Sequence, residues 1–275
     1  MQATETNPNK ALWEKGDFTR LAATMRGSGN DLVDGFRIRA GMQVLELGCG
    51  DGTTAIPAAQ RGAVVRGIDI ARNLVAAGNR RAAEFGLANC SFEEGDASDL
   101  IGVQDDSFDL VVSIFGAMFA PRPFDVAREM VRVARPGGRV IMGNWIPNDP
   151  TLVAQILRIA SAHTPPPPEG FVSPMLWGLE EHVLDRFGAA GIPAERVSFS
   201  RETFTFVADS SPAEYLQLFE HYYGPTMNAF EAARKNGTED ALRTELTALF
   251  EHENTSGQSD RTVIPATMLL VRVDV

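Results

Sequence analysis

Glu46-Leu47-Gly48-Cys49-Gly50-Asp51-Gly52 is the stretch that decides how the rest of this 275-residue chain is read. It follows the apolar Val44-Leu45 and precedes the Ala-rich segment Thr53 to Arg61, so the local order is strand, glycine turn, helix. Glycines there let backbone N–H groups approach a ligand closely, and a helix N-terminus favours negative charge. A ligand with a carboxylate or phosphate is implied, although the glycines alone would equally serve a plain chain reversal. A dinucleotide fingerprint places its third glycine at the sixth position. Here that position is Thr53 and the glycine comes one residue early, at Gly52, which disfavours a pyrophosphate cradle.

Outward from this turn the alternation continues. Ala63 to Ile68 reads as a second strand ending at Asp69, and Ala71 to Phe85 as a helix stopped by Gly86. A third strand starts at Cys90 and leads to Gly95-Asp96. Phe108-Asp109-Leu110-Val111-Val112-Ser113 reads as a fully buried strand, since apolar runs of this kind mark parallel sheets. A helix over Phe124 to Ala134 and a tight turn at Pro136-Gly137-Gly138 introduce a fifth strand, Arg139 to Trp145. Helices follow Thr151 and Glu180, then a strand from Arg196 to Phe206, three more helical stretches and a last strand, Ala266 to Val273. The expected fold class is α/β: a doubly wound, mostly parallel, seven-stranded sheet. Ala11 to Asn30 reads as a short helix running into a Gly-rich turn. The chain is expected to divide into an N-terminal helical cap (1–35), a ligand-binding core (36–147) and the remaining strands with a helical lid (148–275), all one compact unit. Pro165 to Pro168 reads as a rigid spacer.

Composition narrows the function. With 36 acidic against 25 basic residues the net charge is −11, so a polyanion is repelled at long range and nucleic acid is an unexpected partner. No stretch approaches the ~20 apolar residues that span a bilayer, and the polar start lacks a signal pattern. The expected location is cytoplasmic, with no membrane partner. Cys49 and Cys90, the two cysteines, suit neither a disulfide scaffold nor a zinc site, and no metal is expected.

Asp69 ends its strand 17 residues after Gly52, where a carboxylate can accept hydrogen bonds from both hydroxyls of a ribose. Asp96 suits an exocyclic amine such as that of adenine, because an ionised carboxylate only accepts. Together with the glycine turn, Gly95-Asp96-Ala97, the Phe108-to-Ser113 strand and Pro136-Gly137-Gly138, these residues resemble, in order and spacing, the class I S-adenosylmethionine-dependent methyltransferases. The match covers about residues 40 to 147. Within that family it is similar to the branch of ubiquinone/menaquinone and secondary-metabolite enzymes. Trp13-Glu14-Lys15-Gly16-Asp17-Phe18, Phe115-Gly116-Ala117-Met118-Phe119 and Tyr222-Tyr223-Gly224-Pro225 also resemble uncharacterised bacterial members. The resemblance implies a Rossmann-like core and S-adenosylmethionine as cofactor. It sets Gly48 and Gly50 against the methionine portion, Glu46 and Cys49 among the cofactor-binding residues, Asp69 on the ribose, Ile70 on the adenosine face, and Asp96 with Ala97 beside adenine. Ser113 and Phe115 fall on the methyl-donor side, and Trp13 with Phe18 closes over the cofactor.

Methyl transfer from a sulfonium is an in-line displacement needing alignment and a dry site. Met118, Phe119, Trp145 and Trp177 are the expected apolar walls of an acceptor pocket, joined by Tyr222 and Tyr223 from the lid, although such residues also serve as ordinary core. A general base, if used, has His221, Tyr222 and Tyr223 as first candidates, with His163 and His182 behind them. The expected acceptor is a small, hydrophobic or aromatic molecule methylated on oxygen, nitrogen or carbon, and a homodimer is possible. The rivals are a non-catalytic sensor or scaffold that binds the same cofactor, and an NAD(P)-dependent oxidoreductase, which leaves Gly95-Asp96-Ala97 without a role.

Overall fold

Apolar runs bracketed by glycine or aspartate become strands, and the computed structural model describes them within residues 9–167 and 169–275. The first eight residues of the expected cap, and Pro168 of the proline run, lie outside the described residues. The strands are β1 (Gln43–Leu47), β2 (Val64–Asp69), β3 (Cys90–Glu94), β4 (Phe108–Ile114), β5 (Ala134–Trp145), β6 (Val197–Ala208) and β7 (Thr262–Asp274). Among the described residues these seven form one sheet in the order β3-β2-β1-β4-β5-β7-β6. The first five are parallel, while β7 runs antiparallel to β5 and β6 antiparallel to β7. Strand order reverses between β1 and β4, and in doubly wound sheets ligands bind outside the carboxyl ends at that reversal. Leu45, Val111 and Val140, all fully buried, stand in register across β1, β4 and β5.

The helices are α1 (Asn9–Glu14), α2 (Thr19–Ala22), α3 (Arg26–Asp34), α4 (Ala55–Gln60), α5 (Arg72–Glu84), α6 (Pro123–Val133), α7 (Leu152–His163), α8 (Glu180–Ala189), α9 (Pro212–Tyr222), α10 (Gly224–Asn236) and α11 (Glu239–Glu253). α5 packs on β2 and β3, α6 on β4 and β5, and α7, α9, α10 and α11 on one another. α9 starts at a complete capping box: the Glu214 N–H donates to the Ser211 hydroxyl, and the Ser211 N–H donates to the Glu214 carboxylate at 2.9 Å. Such a cap contributes about 1 kcal/mol. It fixes the helix that carries Phe219 and Tyr223. Lid and cap meet through glycines: a Cβ on Gly224 would stand 2.4 Å from the Leu12 carbonyl oxygen, and one on Gly16 2.5 Å from that of Tyr222.

Two local expectations are corrected. Met25 to Asn30 is not a Gly-rich turn, because Arg26–Asp34 is helical. Gly29 serves close packing instead: a Cβ there would lie 2.5 Å from Thr53 Cγ2 and 2.7 Å from the Thr53 carbonyl oxygen. The helix therefore rides directly on the glycine turn, at some cost in intrinsic propensity. Pro136-Gly137-Gly138 is a kink within β5, which already begins at Ala134, and the pairing register with β4 shifts there. α3 also reaches the sheet's outer strand. The Ser28 hydroxyl donates to the Thr205 carbonyl at 2.8 Å and accepts from the Thr205 N–H at 2.9 Å.

Candidate active site

One cavity opens at the carboxyl ends of β1, β4 and β5, under the N-terminal helices and α9, and holds about 1310 Å³ of space, mouth included. Its walls come from both sides of β4. The β1, β2 and β3 side contributes the glycine turn, Asp69-Ile70 and Gly95-Asp96-Ala97. The β5 and β6 side contributes Trp145, Phe204 and Phe206, with Val153 and Ile156 from α7.

Acidic groups gather on the first side. Gly48, Gly50 and Gly52 all have positive φ, which only glycine adopts freely. Space above Gly50 is open, whereas a Cβ on Gly48 would meet Gly116 Cα at 2.5 Å. Asp69 braces the turn from inside: it accepts from the Gly50 N–H at 2.8 Å and from the Ala71 N–H at 2.9 Å. Burial raises its pKa, with these backbone bonds opposing the shift. Asp96 accepts from the Ser98 N–H at 2.8 Å and the Ser98 hydroxyl at 2.7 Å, which fixes its carboxylate. Asp51, 1% exposed, is paired with Arg26 at 2.9 Å and Arg81 at 3.3 Å. Burial also pushes the Cys49 thiol up, helped by Asp69 and Glu46, so it stays neutral.

Glu46, 4% exposed, accepts from the Thr54 hydroxyl. Burial raises its pKa to about 8; the Thr54 bond opposes this, and Asp69 and Asp51 add to it. The unfolded chain ionises this group near ~4.3. Between that pH and about 8 the folded state therefore holds the extra proton. Unfolding stability is expected to fall as pH rises through that interval, by up to ~1.4 kcal/mol per pH unit from this group. Urea titrations of the wild type and Glu46→Gln at pH 6, 7 and 8 check it: the variant should lose that slope, and parallel slopes would refute the assignment.

The other side is aromatic. Phe115 adopts φ 63°, a left-handed conformation rare for a bulky side chain. Its ring thereby lies flat on Trp145, with centroids 3.7 Å apart and planes 4° apart, and its edge meets Phe204 at 5.0 Å. Above, Trp13 packs edge-on against Phe119 at 4.9 Å and against Tyr223 at 5.9 Å, while Phe18 meets Tyr223 at 6.0 Å. These rings form a roof that limits water. Burial keeps the Tyr223 phenol protonated well above neutrality. Among the described residues, no Lys, Arg or His lines the cavity.

Trp13, Phe18, Glu46, Gly48, Cys49, Gly50, Asp69, Ile70, Asp96, Ala97 and Phe115 thus converge on the cavity, as do Phe119, Trp145 and Tyr223. Other expected residues do not. The Ser113 hydroxyl donates to the Leu47 carbonyl at 2.7 Å and accepts from the Ala117 N–H at 2.9 Å, so it ties β1 to the turn after β4. Met118 lies in the tight turn Ala117–Phe119, whose other two residues face the cavity, and it is buried on the far side. Trp177 is buried beneath the Arg186 guanidinium, 4.4 Å from its ring, and against Phe187. Phe219 on α9 and Tyr223, the residue that ends the helix in an extended conformation, face the cavity, while His221 and Tyr222 do not line it. His221 is exposed and contacts the Gln217 carbonyl. His163 lies between Thr238 and Glu245, and His182 is on α8, both off the cavity. Sequence reading gave no role to Met25, Asp51, Thr54, Gly116, Val153, Ile156, Phe204 or Phe206. For Gly116 the Phe-Gly-Ala-Met-Phe motif was an available signal, whereas the rest need the tertiary fold.

Residues 38–162 match the family described as a methyltransferase domain. An uncharacterised protein of Mycobacterium tuberculosis is 32% identical over 245 residues, 86% of each chain. Nocamycin O-methyltransferase of Saccharothrix syringae is 39% identical over 120 residues, covering 42% of this chain and 41% of that one. Among solved structures, that of a methyltransferase from Bacillus halodurans superposes with a TM-score of 0.58 at 14% identity, covering 90% of this chain and 99% of the other. With this sheet order, glycine turn and cavity, the chain belongs to the class I S-adenosylmethionine-dependent methyltransferases, and S-adenosylmethionine is its cofactor.

Proposed function

We propose that the chain methylates oxygen, nitrogen or carbon of a small, hydrophobic or aromatic molecule. The observation that carries this is the division of one cavity into a carboxylate-lined half and an aromatic half beneath a shared roof. The first half fits the cofactor. Gly50, with open space above its Cα, lets the methionine portion approach the backbone, and Gly48 shapes the turn below it. Asp69 and Asp96 supply acceptors for ribose hydroxyls and for the adenine amine, and Ile70 and Ala97 supply apolar contacts for its rings. Glu46 supplies a carboxyl for the cationic amino-acid end. A cation there favours the ionised form, so binding releases a proton below pH 8 and affinity rises with pH.

When bound, S-adenosylmethionine supplies an electrophilic methyl group: the acceptor's lone pair bonds to it while the S–C bond pair returns to sulfur. The protein holds both reactants in line and keeps water out, with Trp13, Phe18 and Phe119 as the cover. In that arrangement Tyr223 donates a hydrogen bond to the acceptor. Tyr223→Phe is expected to lower kcat/KM for the acceptor about tenfold, the cost of one lost hydrogen bond, and to leave cofactor affinity unchanged. Unchanged turnover would reduce Tyr223 to packing.

Calorimetric titration with S-adenosylmethionine, S-adenosylhomocysteine, NAD and NADP tests the cofactor half. Saturable binding of the adenosyl ligands alone is expected, and dinucleotide binding in their place would overturn the reading. The aromatic half is tested by turnover against a panel of hydroxylated aromatics.

A further inference from the structure

Among the described residues, the acceptor half of the cavity offers neither a counter-charge nor a base. Its polar side chains are the Tyr223 phenol, held protonated by burial, and the Asn9 amide, which donates to the Phe119 carbonyl. Each nearby candidate base is turned elsewhere: His221 to solvent, His163 into its bonds with Thr238 and Glu245. The acids sit across β4, and of these Asp51 is neutralised by Arg26 and Arg81 while Glu46 is engaged by the Thr54 hydroxyl and the cofactor's cationic end. A phosphorylated or carboxylated acceptor would enter such an apolar half with no protein cation to meet it, at high desolvation cost. An ordinary alcohol would find nothing to take its proton.

Resting on the function proposed above, we infer that the acceptor is a flat, apolar acid, an enol or phenol that loses its own proton near neutral pH. It binds as a delocalised anion whose one positive partner is the sulfonium of the methyl donor. The proton leaves to bulk water as the anion enters, and Tyr223 donates to the anionic oxygen. In the displacement the oxygen lone pair forms the O–CH3 bond, or the enolate C=C pair forms the C–CH3 bond while the oxygen's pair closes the carbonyl; the S–CH3 pair stays on sulfur, and both charges vanish together. For carbon, the α-proton then passes through water to the carbonyl oxygen as the enol reforms. Neither product retains the attraction that held the reactants, and release follows without a protein charge to overcome. In a water-poor site a unit charge pair a few ångströms apart is strong enough to make donor charge visible in acceptor affinity.

The test measures binding, so it needs no turnover. Tryptophan fluorescence of the full chain, reported by Trp145, follows titration with three two-ring probes: lawsone (a hydroxynaphthoquinone with an acidic enol), β-naphthol and β-naphthyl phosphate. Each is titrated with sinefungin bound, which places an ammonium where the sulfonium sits, and again with neutral S-adenosylhomocysteine bound. Lawsone is expected to bind at least about tenfold tighter with sinefungin, while β-naphthol binds equally with either. β-Naphthyl phosphate is expected to bind at least about tenfold more weakly than lawsone with sinefungin bound. Leu157→Arg, at a half-buried lining position, should abolish the dependence on donor charge and admit the phosphate. Equal lawsone affinity with both donors, tight phosphate binding to the wild type, or no probe binding while both nucleosides bind would overturn the inference. Failure of both nucleosides to bind would instead sink the cofactor reading beneath it.

Discussion

Asp69→Ala is expected to remove detectable binding of both S-adenosylmethionine and S-adenosylhomocysteine. Two hydroxyl-to-carboxylate hydrogen bonds are lost, each worth about 1.5–3 kcal/mol, so affinity should fall at least about 100-fold. The carboxylate also holds the Gly50 and Ala71 N–H groups, and its loss loosens the turn on which the ligand lies. Sulfonium and thioether ligands should lose equally, because the ribose is common to both. That equality separates Asp69 from Glu46, whose substitution to Gln acts on the positively charged end and on pH dependence. Calorimetry of the variant settles it, and affinity within threefold of wild type would remove Asp69 from the site.

A larger structural effect is expected from Gly116→Ala. Its Cβ would stand 2.3 Å from the Gly48 carbonyl oxygen and 2.5 Å from Gly48 Cα, and both obstacles are backbone that cannot swing aside. Separating the turn after β4 from the turn after β1 should cost about 3 kcal/mol or more, a fall in Tm of roughly 6–12 °C for a chain this size. Cofactor binding should go with it. Gly50→Ala is the contrasting case. Nothing stands within 4 Å of a Cβ there, and only the left-handed φ of 55° is unfavourable, at about 1–2 kcal/mol. The methyl would project into the ligand's space, so Gly50→Ala should stay folded with Tm a few degrees lower and bind little cofactor. Thermal scans beside calorimetry distinguish the two, and a Gly116→Ala protein as stable as wild type would contradict the close approach.

These contrasts show what the sequence could carry. Strands, their order of appearance and the glycine turn were legible because each is a local pattern: apolar runs for buried parallel strands, glycine where φ is positive, aspartate at a strand end. Asp69, Asp96, Gly48 and Gly50 lie within a few residues of those patterns and all reach the cavity. The acceptor side was less legible. Phe204 and Phe206 meet Trp145 only through the antiparallel pairing of β6 with β7, a contact set by topology. His221-Tyr222-Tyr223 gave three candidates, of which the chain's exit from α9 turns only Tyr223 to the cavity. Met25 to Asn30 reads as a turn because its glycines are visible and the Thr53 wall that Gly29 must pass is not.

The bond pair between Ser28 and Thr205 bears on what the molecule does in a crowd. β6 is the last strand of its sheet, and an unpaired strand edge invites a second chain to zip on, which is how folded proteins begin to polymerise. At Thr205 the outward N–H and C=O are both engaged by one serine hydroxyl from α3. A side chain thus stands in for the missing neighbour at that point of the edge, and a strand arriving from another molecule finds the ladder interrupted.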